Sequence, residues 1–408
     1  MGHHVRRYRA IRRDAPPVWA EERVGSERPD GEREARVARR RPGYADNSSR
    51  PVGSTRARGG GSVTEPVAEG VRTAADVLAR TRDLVEPALR RAVDTLPPSM
   101  RRMAGYHFGW WDARERPVRA GGGKALRPAF TLLAAEGAGG DMDTALPAAV
   151  AVELVHNFSL VHDDVMDGDA VRRHRPTVWN VFGRSDAILA GDSLLALAFA
   201  VLAGGGRPAD STRTLARCVQ SLLDGQSADL GFEERADVSL GECVRMAEGK
   251  TGALFGCACA LGALQAAAFP GGATTEQVAF LRVFGERVGL AFQIVDDLLG
   301  IWGDPAVTGK PVHSDLRNRK KSLPVVAALT SGTPAGGALA MLYRRPLAQA
   351  DLARAARLVD EAGGRAWSLA RVDDLLSEAL EALRSAELAP GPAAGLEALA
   401  RLAADRDR

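Results

Sequence analysis

The chain has 408 residues, 45% hydrophobic and 26% charged, an ordinary globular composition with enough length for a large core. Its net charge of +3 is unevenly spread: residues 1–60 hold 15 Arg/Lys against 8 Asp/Glu, a net of +7 that leaves the remainder at about −4. The basic character belongs to the N-terminal stretch, and the body has no basic patch with interleaved aromatics, so nucleic-acid binding is set aside.

Residues 1–70 are rich in Arg, Glu, Gly and Pro and lack a sustained apolar period. They read as a disordered extension with a flexible joint at Gly59-Gly60-Gly61-Ser62. The opening MGHHVRRYRAIRR suits docking on an anionic surface, although a solvated tail is the plainer reading. No apolar segment of a secretory signal opens the chain, and no apolar run of eighteen residues is free of Gly or charge. The expectation is a cytoplasmic protein with no transmembrane segment.

Residues 71–408 read as one all-α domain. Apolar positions recur at threes and fours from 71 to 96, and Pro97-Pro98 ends that run. A helix is expected to begin near Leu126-Arg127-Pro128, with Pro in its first turn. Residues 145–167 are apolar on nearly every side and predict a central helix. Further helices are expected over 185–203, 210–230, 239–268 and 275–301, and Gly and Pro part the Ala/Leu/Arg helices of the C-terminal third. Alternating β-rich segments are absent, so the fold is expected to be a large helical bundle with ligands held between helices. The four cysteines lack zinc-site spacing and read as small buried residues.

Two aspartate pairs close apolar helical runs, Asp163-Asp164 in LVHDDVMDGD and Asp296-Asp297 in AFQIVDDLLG. Asp163 and Asp167 share a helix face, where like charges repel. A hard divalent cation reverses the sign of that interaction, and Mg²⁺ takes carboxylate oxygens while completing its shell with substrate phosphates. The pattern predicts a metal–diphosphate site between two facing helices.

Other segments fit the same task. GGGKALRP supplies Lys124 and Arg127, Arg172-Arg173 follow the first acidic run, and EGKTGALF supplies Lys250 and Thr251. Gln293 precedes the second pair, Asp304 follows it, and TGKPVHSDLRNRKKSLP supplies Lys310, Asp315, Lys320 and Lys321. Lys and Arg neutralise a diphosphate directly, whereas metal-bridged carboxylates stabilise one as a leaving group. A site with both devices can hold two diphosphates side by side. Each part alone has a plainer reading: a solvated helix end for an Asp pair, a satisfied core residue for His156, a turn cap for Asp304 or Asp315.

Together the segments resemble the trans-isoprenyl diphosphate synthases, or polyprenyl synthetases, over roughly residues 75–385. LVHDDVMDGD…RR and FQIVDDLLG are similar to that family's two aspartate-rich motifs, and GGGKALRP, KT and TGK…DL…KKS to its other signatures. The resemblance implies an all-α bundle of the isoprenoid synthase type around a central cavity, usually a homodimer. It implies head-to-tail condensation of isopentenyl diphosphate with an allylic diphosphate, assisted by three Mg²⁺ ions. Carried over by motif, Asp163, Asp167 and Asp296 bind metal, with support from Asp164 and Asp297. Arg172, Lys250, Thr251, Gln293, Lys310 and Lys320 touch the allylic diphosphate, and Lys124, Arg127, His156 and Arg173 hold that of isopentenyl diphosphate.

The sequence departs from the resemblance at Gly300, where many members carry a third acid. Product length is expected to depend on Phe158, five residues before Asp163 and roughly 7–8 Å deeper along the helix. With small Ser159 beside it and no insertion in the first motif, the pattern looks like that of geranylgeranyl diphosphate synthases. Farnesyl or longer products are the alternatives within the family. Outside it stand a class I terpene cyclase, which would carry a different second motif, and a non-catalytic regulatory subunit, which would have lost part of the set.

Overall fold

The computed structural model describes residues 73–118, 123–204, 208–305 and 311–405. The extension read as disordered and Lys310 lie outside these residues. Helix α1 (Ala74–Val93) opens with a reciprocal cap, the Thr73 side chain accepting from the Asp76 backbone N–H while the Asp76 carboxylate accepts from Thr73. The Pro97-Pro98 break also starts the next element, because Pro98 is the first residue of α2 (Pro98–Phe108). Helices α3 (Leu126–Gly137) and α4 (Met142–Met166) follow. The chain then makes a two-residue hairpin, β1 (Val171–Arg172) with β2 (Arg175–Pro176), which periodicity did not predict.

Next come α5 (Val178–Phe182), α6 (Arg184–Ala203) and α7 (Pro208–Glu234). The single helix expected over 239–268 is α8 (Leu240–Ala247), a π-helical turn over Glu248–Gly252, and α9 (Ala253–Ala266). The long α10 (Thr275–Trp302) is followed by the short α11 (Ser314–Arg317). Five helices complete the chain: α12 (Leu323–Leu329), α13 (Pro334–Leu342), α14 (Gln349–Glu361), α15 (Gly364–Ser385) and α16 (Pro390–Ala404). The all-α expectation holds among the described residues, whose strands are confined to that hairpin.

Helix α9 is the hub. Nearly all of its residues are buried, and α3, α4, α7 and α10 pack around it. Small residues permit the close approach: a Cβ on Gly262 would lie 2.1 Å from the Thr131 carbonyl oxygen, and one on Gly285 would lie 2.4 Å from that of Phe255. Phe130, Phe255 and Phe284 fill the space where these helices meet. The four cysteines are free thiols and all buried.

One expectation needs correcting. Helices α4 and α6 are each long and apolar enough to cross a membrane by length and composition. For α4 the composition has an internal cause, since 61% of its apolar stretch is buried by the protein's own helices, against 39% for α6.

Candidate active site

Asp163 and Asp164 occupy the last turn of α4, and Asp167 caps it. Three carboxylates thus gather at the negative end of a helix dipole, an arrangement that requires compensating positive charge. Burial pushes Asp163 up to about 6; Asp167 and Asp229 add to that, while Lys250 and Arg172 pull the other way. Asp164 is 1% exposed, and burial pushes it up to about 6 against the pull of Arg172, whose Nε lies 2.7 Å from Oδ1. Its second oxygen, Oδ2, is buried with no protein partner. Asp167 is also pushed up, chiefly by burial.

The π-helical turn presents Lys250 and Thr251 together. It is held by close backbone approach: a Cβ on Gly225 of α7 would lie 2.4 Å from the Lys250 nitrogen. Lys250 Nζ sits 2.7 Å from Asp229 Oδ2, also on α7. Thr251 Oγ1 donates to Gln293 Oε1 at 2.6 Å, and Gln293 Nε2 donates to Asp297 Oδ1 at 2.8 Å. Asp297 Oδ2 then accepts from the Leu323 backbone N–H at 2.9 Å. This chain of bonds fixes the direction of the Gln293 amide. Burial pushes Asp297 up to about 6, with Lys320 opposing it from 3.9 Å. Burial also acts against the Lys320 ammonium, but Asp297, Asp315, Asp229 and Asp296 together outweigh it and raise Lys320. Because Lys320 also pulls Asp167 down, it sits within electrostatic reach of both acidic helix ends.

A cationic pocket adjoins the first acidic end. The hairpin that carries Arg172 and Arg173 is stapled to α2 by Arg175, which donates to the carbonyls of Tyr106 and Trp111 and lies over the Tyr106 ring. Arg173 and His174 form its turn at positive φ. Burial, with Arg127, Arg173 and Arg172 nearby, drives His156 well below its usual range, so its imidazole is neutral. His107 is driven down to about 3 by burial and the same hairpin arginines, and meets Asn157, which in turn donates to Glu153. Three guanidinium groups around two neutral imidazoles suit a multiply charged anion. Lys124 is exposed at the rim, one residue from Gly123, whose Cβ would lie 3.2 Å from the Arg173 guanidinium.

Below the first motif, Phe158 is 3% exposed and meets the His162 ring edge-on at 4.8 Å between centroids. His162 packs over Gly191 and pairs with the Ile188 carbonyl at 3.0 Å, so this wall joins α4 to α6.

The structure therefore links Asp163, Asp164, Asp167, Arg172, Lys250, Thr251, Gln293, Asp297 and Lys320, with Asp296 exposed beside them and Arg127, Arg173 and His156 in the adjoining pocket. Sequence reasoning missed Asp229, His107 and Asn157. It also missed Gln226, which is 4% exposed with neither amide atom partnered, one turn before Asp229 on α7. The signal was GQSADL, a set of polar residues on a helix facing the core. Among the described residues no three His, Cys, Asp or Glu side chains close a metal site by themselves. Mg²⁺ binds through one or two carboxylates and takes its remaining ligands from phosphate and water. The orphaned Asp164 oxygen and the raised carboxyls fit such a cation.

The polyprenyl synthetase family model matches residues 116–359. The chain belongs to the polyprenyl synthetase family. It is 46% identical over 337 residues to the (2E,6E)-farnesyl diphosphate synthase of Mycobacterium tuberculosis, covering 81% of this chain and 92% of that one. It is 47% identical over 319 residues to a geranylgeranyl diphosphate synthase of the same organism, covering 77% and 90%. The crystal structure of a polyprenyl synthetase from Streptomyces coelicolor superposes with a TM-score of 0.76 at 46% identity, covering 80% of this chain and 98% of that one. This polyprenyl synthetase is accordingly a prenyltransferase that elongates prenyl chains, in a family that uses Mg²⁺.

Proposed function

We propose that this synthase condenses isopentenyl diphosphate with an allylic diphosphate and releases geranylgeranyl diphosphate. The observation that carries the first part is the Thr251–Gln293–Asp297 chain set between the two acidic helix ends. Asp163, Asp167 and Asp296 are the residues suited to hold Mg²⁺, with Asp164 and Asp297 behind them. When bound, Mg²⁺ neutralises the allylic diphosphate and stabilises it as a leaving group. Lys250, Lys320 and Arg172 bind the same diphosphate, and Lys310 belongs to this set by motif. Arg127, Arg173, His156 and Lys124 receive the diphosphate of isopentenyl diphosphate without metal. Thr251 Oγ1 and Gln293 Oε1 turn oxygen dipoles toward the allylic carbon as its carbon–oxygen bond breaks. The double bond of isopentenyl diphosphate attacks that carbon, and the proton lost passes to the departing pyrophosphate held by the lysines. Apolar walls exclude water that would quench the cation.

Buried Phe158 supports a twenty-carbon product, because it closes the wall beneath Asp163. A fifteen-carbon product is the second reading, favoured by the equally similar relative named a farnesyl diphosphate synthase. A homodimer is part of the same proposal, supported by exposed Ile188 and Leu189 on α6 and tested by sedimentation velocity.

The deciding experiment incubates the protein with Mg²⁺, isopentenyl diphosphate and dimethylallyl, geranyl or farnesyl diphosphate, then sizes the hydrolysed alcohols. Geranylgeraniol as the main product, shifting to longer alcohols in Phe158→Ala, supports the full reading. Farnesol would replace the product assignment, and an unchanged Phe158→Ala profile would remove Phe158 from it. No elongation from any starter would overturn the activity.

A further inference from the structure

The turn between α11 and α12 places an arginine where glycine is the usual choice. Helix α11 ends in two backbone bonds: the Arg319 N–H donates to the Leu316 carbonyl at 3.0 Å, and the Lys320 N–H donates to the Asp315 carbonyl at 2.9 Å. A helix end of this kind reverses the chain at a left-handed residue, and glycine favours that place because it has no Cβ to meet the neighbouring carbonyl. Here the left-handed residue is Arg319, at a φ of 53°. The strain therefore sits immediately before Lys320, the lysine that reaches Asp297. A strained residue persists only where its surroundings over-determine it.

The Arg319 side chain shows what those surroundings are. Its Nη2 donates to the carbonyl of Tyr343. Tyr343 caps the C-terminus of α13, where carbonyls lack helical partners and the helix dipole favours a cation. The residue on the other side of Lys320 meets the same tyrosine, since the Lys321 ammonium lies 5.7 Å from the centre of the Tyr343 ring. Tyr343 is buried and clusters with Leu316, Leu339 and Leu342, so it offers a fixed point. Glycine at 319 would fit the turn but could not reach that point. We infer that Arg319 is a positioning residue: it stands in a glycine's place so that its guanidinium ties the backbone of Lys320 to the end of α13. The residues on both sides of Lys320 thus hold to one buried tyrosine, which leaves the Lys320 side chain to extend towards Asp297.

The inference rests on the reading of Lys320 as a ligand of the allylic diphosphate, and its test separates the two. Melting temperature, kcat and the KM of each substrate are measured for wild type, Arg319→Gly, Arg319→Ala, Lys320→Ala and Arg319→Gly/Lys320→Ala. Arg319→Gly relieves the backbone and removes the tether, whereas Arg319→Ala removes the tether and keeps the strain, so the glycine variant should melt above the alanine variant. Both should raise the KM for the allylic diphosphate about tenfold and leave that for isopentenyl diphosphate within about twofold of wild type. Equal KM changes at unequal stability are what positioning produces and what support of the fold does not. In the Lys320→Ala background, Arg319→Gly should alter the allylic KM by less than about twofold, because the tether acts through that lysine. A wild-type allylic KM in Arg319→Gly would overturn the inference, as would additive effects in the double variant. If wild type elongates no starter, or Lys320→Ala leaves the allylic KM unchanged, the reading of Lys320 falls and this inference with it.

Discussion

The ends of α4 and α10 solve one problem in two ways. Each carries an aspartate pair whose second acid is buried, Asp164 on α4 and Asp297 on α10; of the first acids, Asp296 is exposed and Asp163 half-buried. On α4 the buried acid is held by a charged partner, Arg172, and keeps one oxygen unpartnered. On α10 both oxygens of the buried acid are engaged, by the Gln293 amide and the Leu323 backbone N–H. The first end therefore retains capacity for a ligand, whereas the second spends its buried acid on orienting Gln293 and locking α12 in place. Two identical dipeptides thus differ in how the buried acid is held, by a charged guanidinium on α4 and by two neutral N–H donors on α10.

The contrast can be tested first at Asp163 and Asp297. Asp163→Ala should lower kcat about 10²–10³-fold with no fall in melting temperature, since the carboxylate acts on the leaving group and is not a support of the core. A large loss of stability in that variant would break the distinction. Asp297→Ala should instead lose stability, about 2 kcal/mol in denaturant unfolding, besides its effect on activity through Gln293, because it orphans two donors at once. Asp164→Ala should cost less, about 1 kcal/mol, since half-buried Arg172 can turn to solvent. Equal losses for the two would show that the buried acids are equivalent after all.

A smaller change tests the support beneath both ends. Gly225→Ala puts a methyl group against the Lys250 backbone and should push α7 away from the π-helical turn, stretching the Lys250–Asp229 pair. About a tenfold fall in kcat/KM is expected, with little change in product length.

The smallest effect is the dependence on pH. Asp163 is raised from 3.8 to about 6 in the fold, so the folded protein binds protons there more readily than the unfolded chain. The stability lost to this group therefore grows as pH rises from about 4 through about 6. Buried His107 and His156 are shifted the other way and oppose the trend in wild type, so a difference between variants isolates the carboxylate. Without metal, Asp163→Asn should melt above wild type at pH 7.5, and the gap should close below about pH 4. A gap independent of pH would reject the assignment.

Most of the chemistry was legible because it was repeated in the chain. Periodicity located α6, α7 and α10 to within a few residues, and the acidic motifs declared themselves by charge at the ends of apolar runs. Asp229 and Gln226 were not legible, because polar residues on a long helix mostly face water and only packing reveals that these two do not. The π-helical turn was hidden for a similar reason. Its residues suit an α-helix, and only the close passage of α7 against Gly249 and Lys250 marks the altered hydrogen bonding.

By itself the sequence determined the helical class and the family, because composition, period and charge are local properties of the chain. The tertiary structure alone decided how the buried acid of each pair is held, since that depends on the Arg172 hairpin folding back and on Leu323 arriving from a distant segment. It also decided what fills the space above Gly300, where a Cβ would meet the Asp315 carboxylate. A glycine in a sequence announces a missing side chain, but only the packed molecule shows what lies against it.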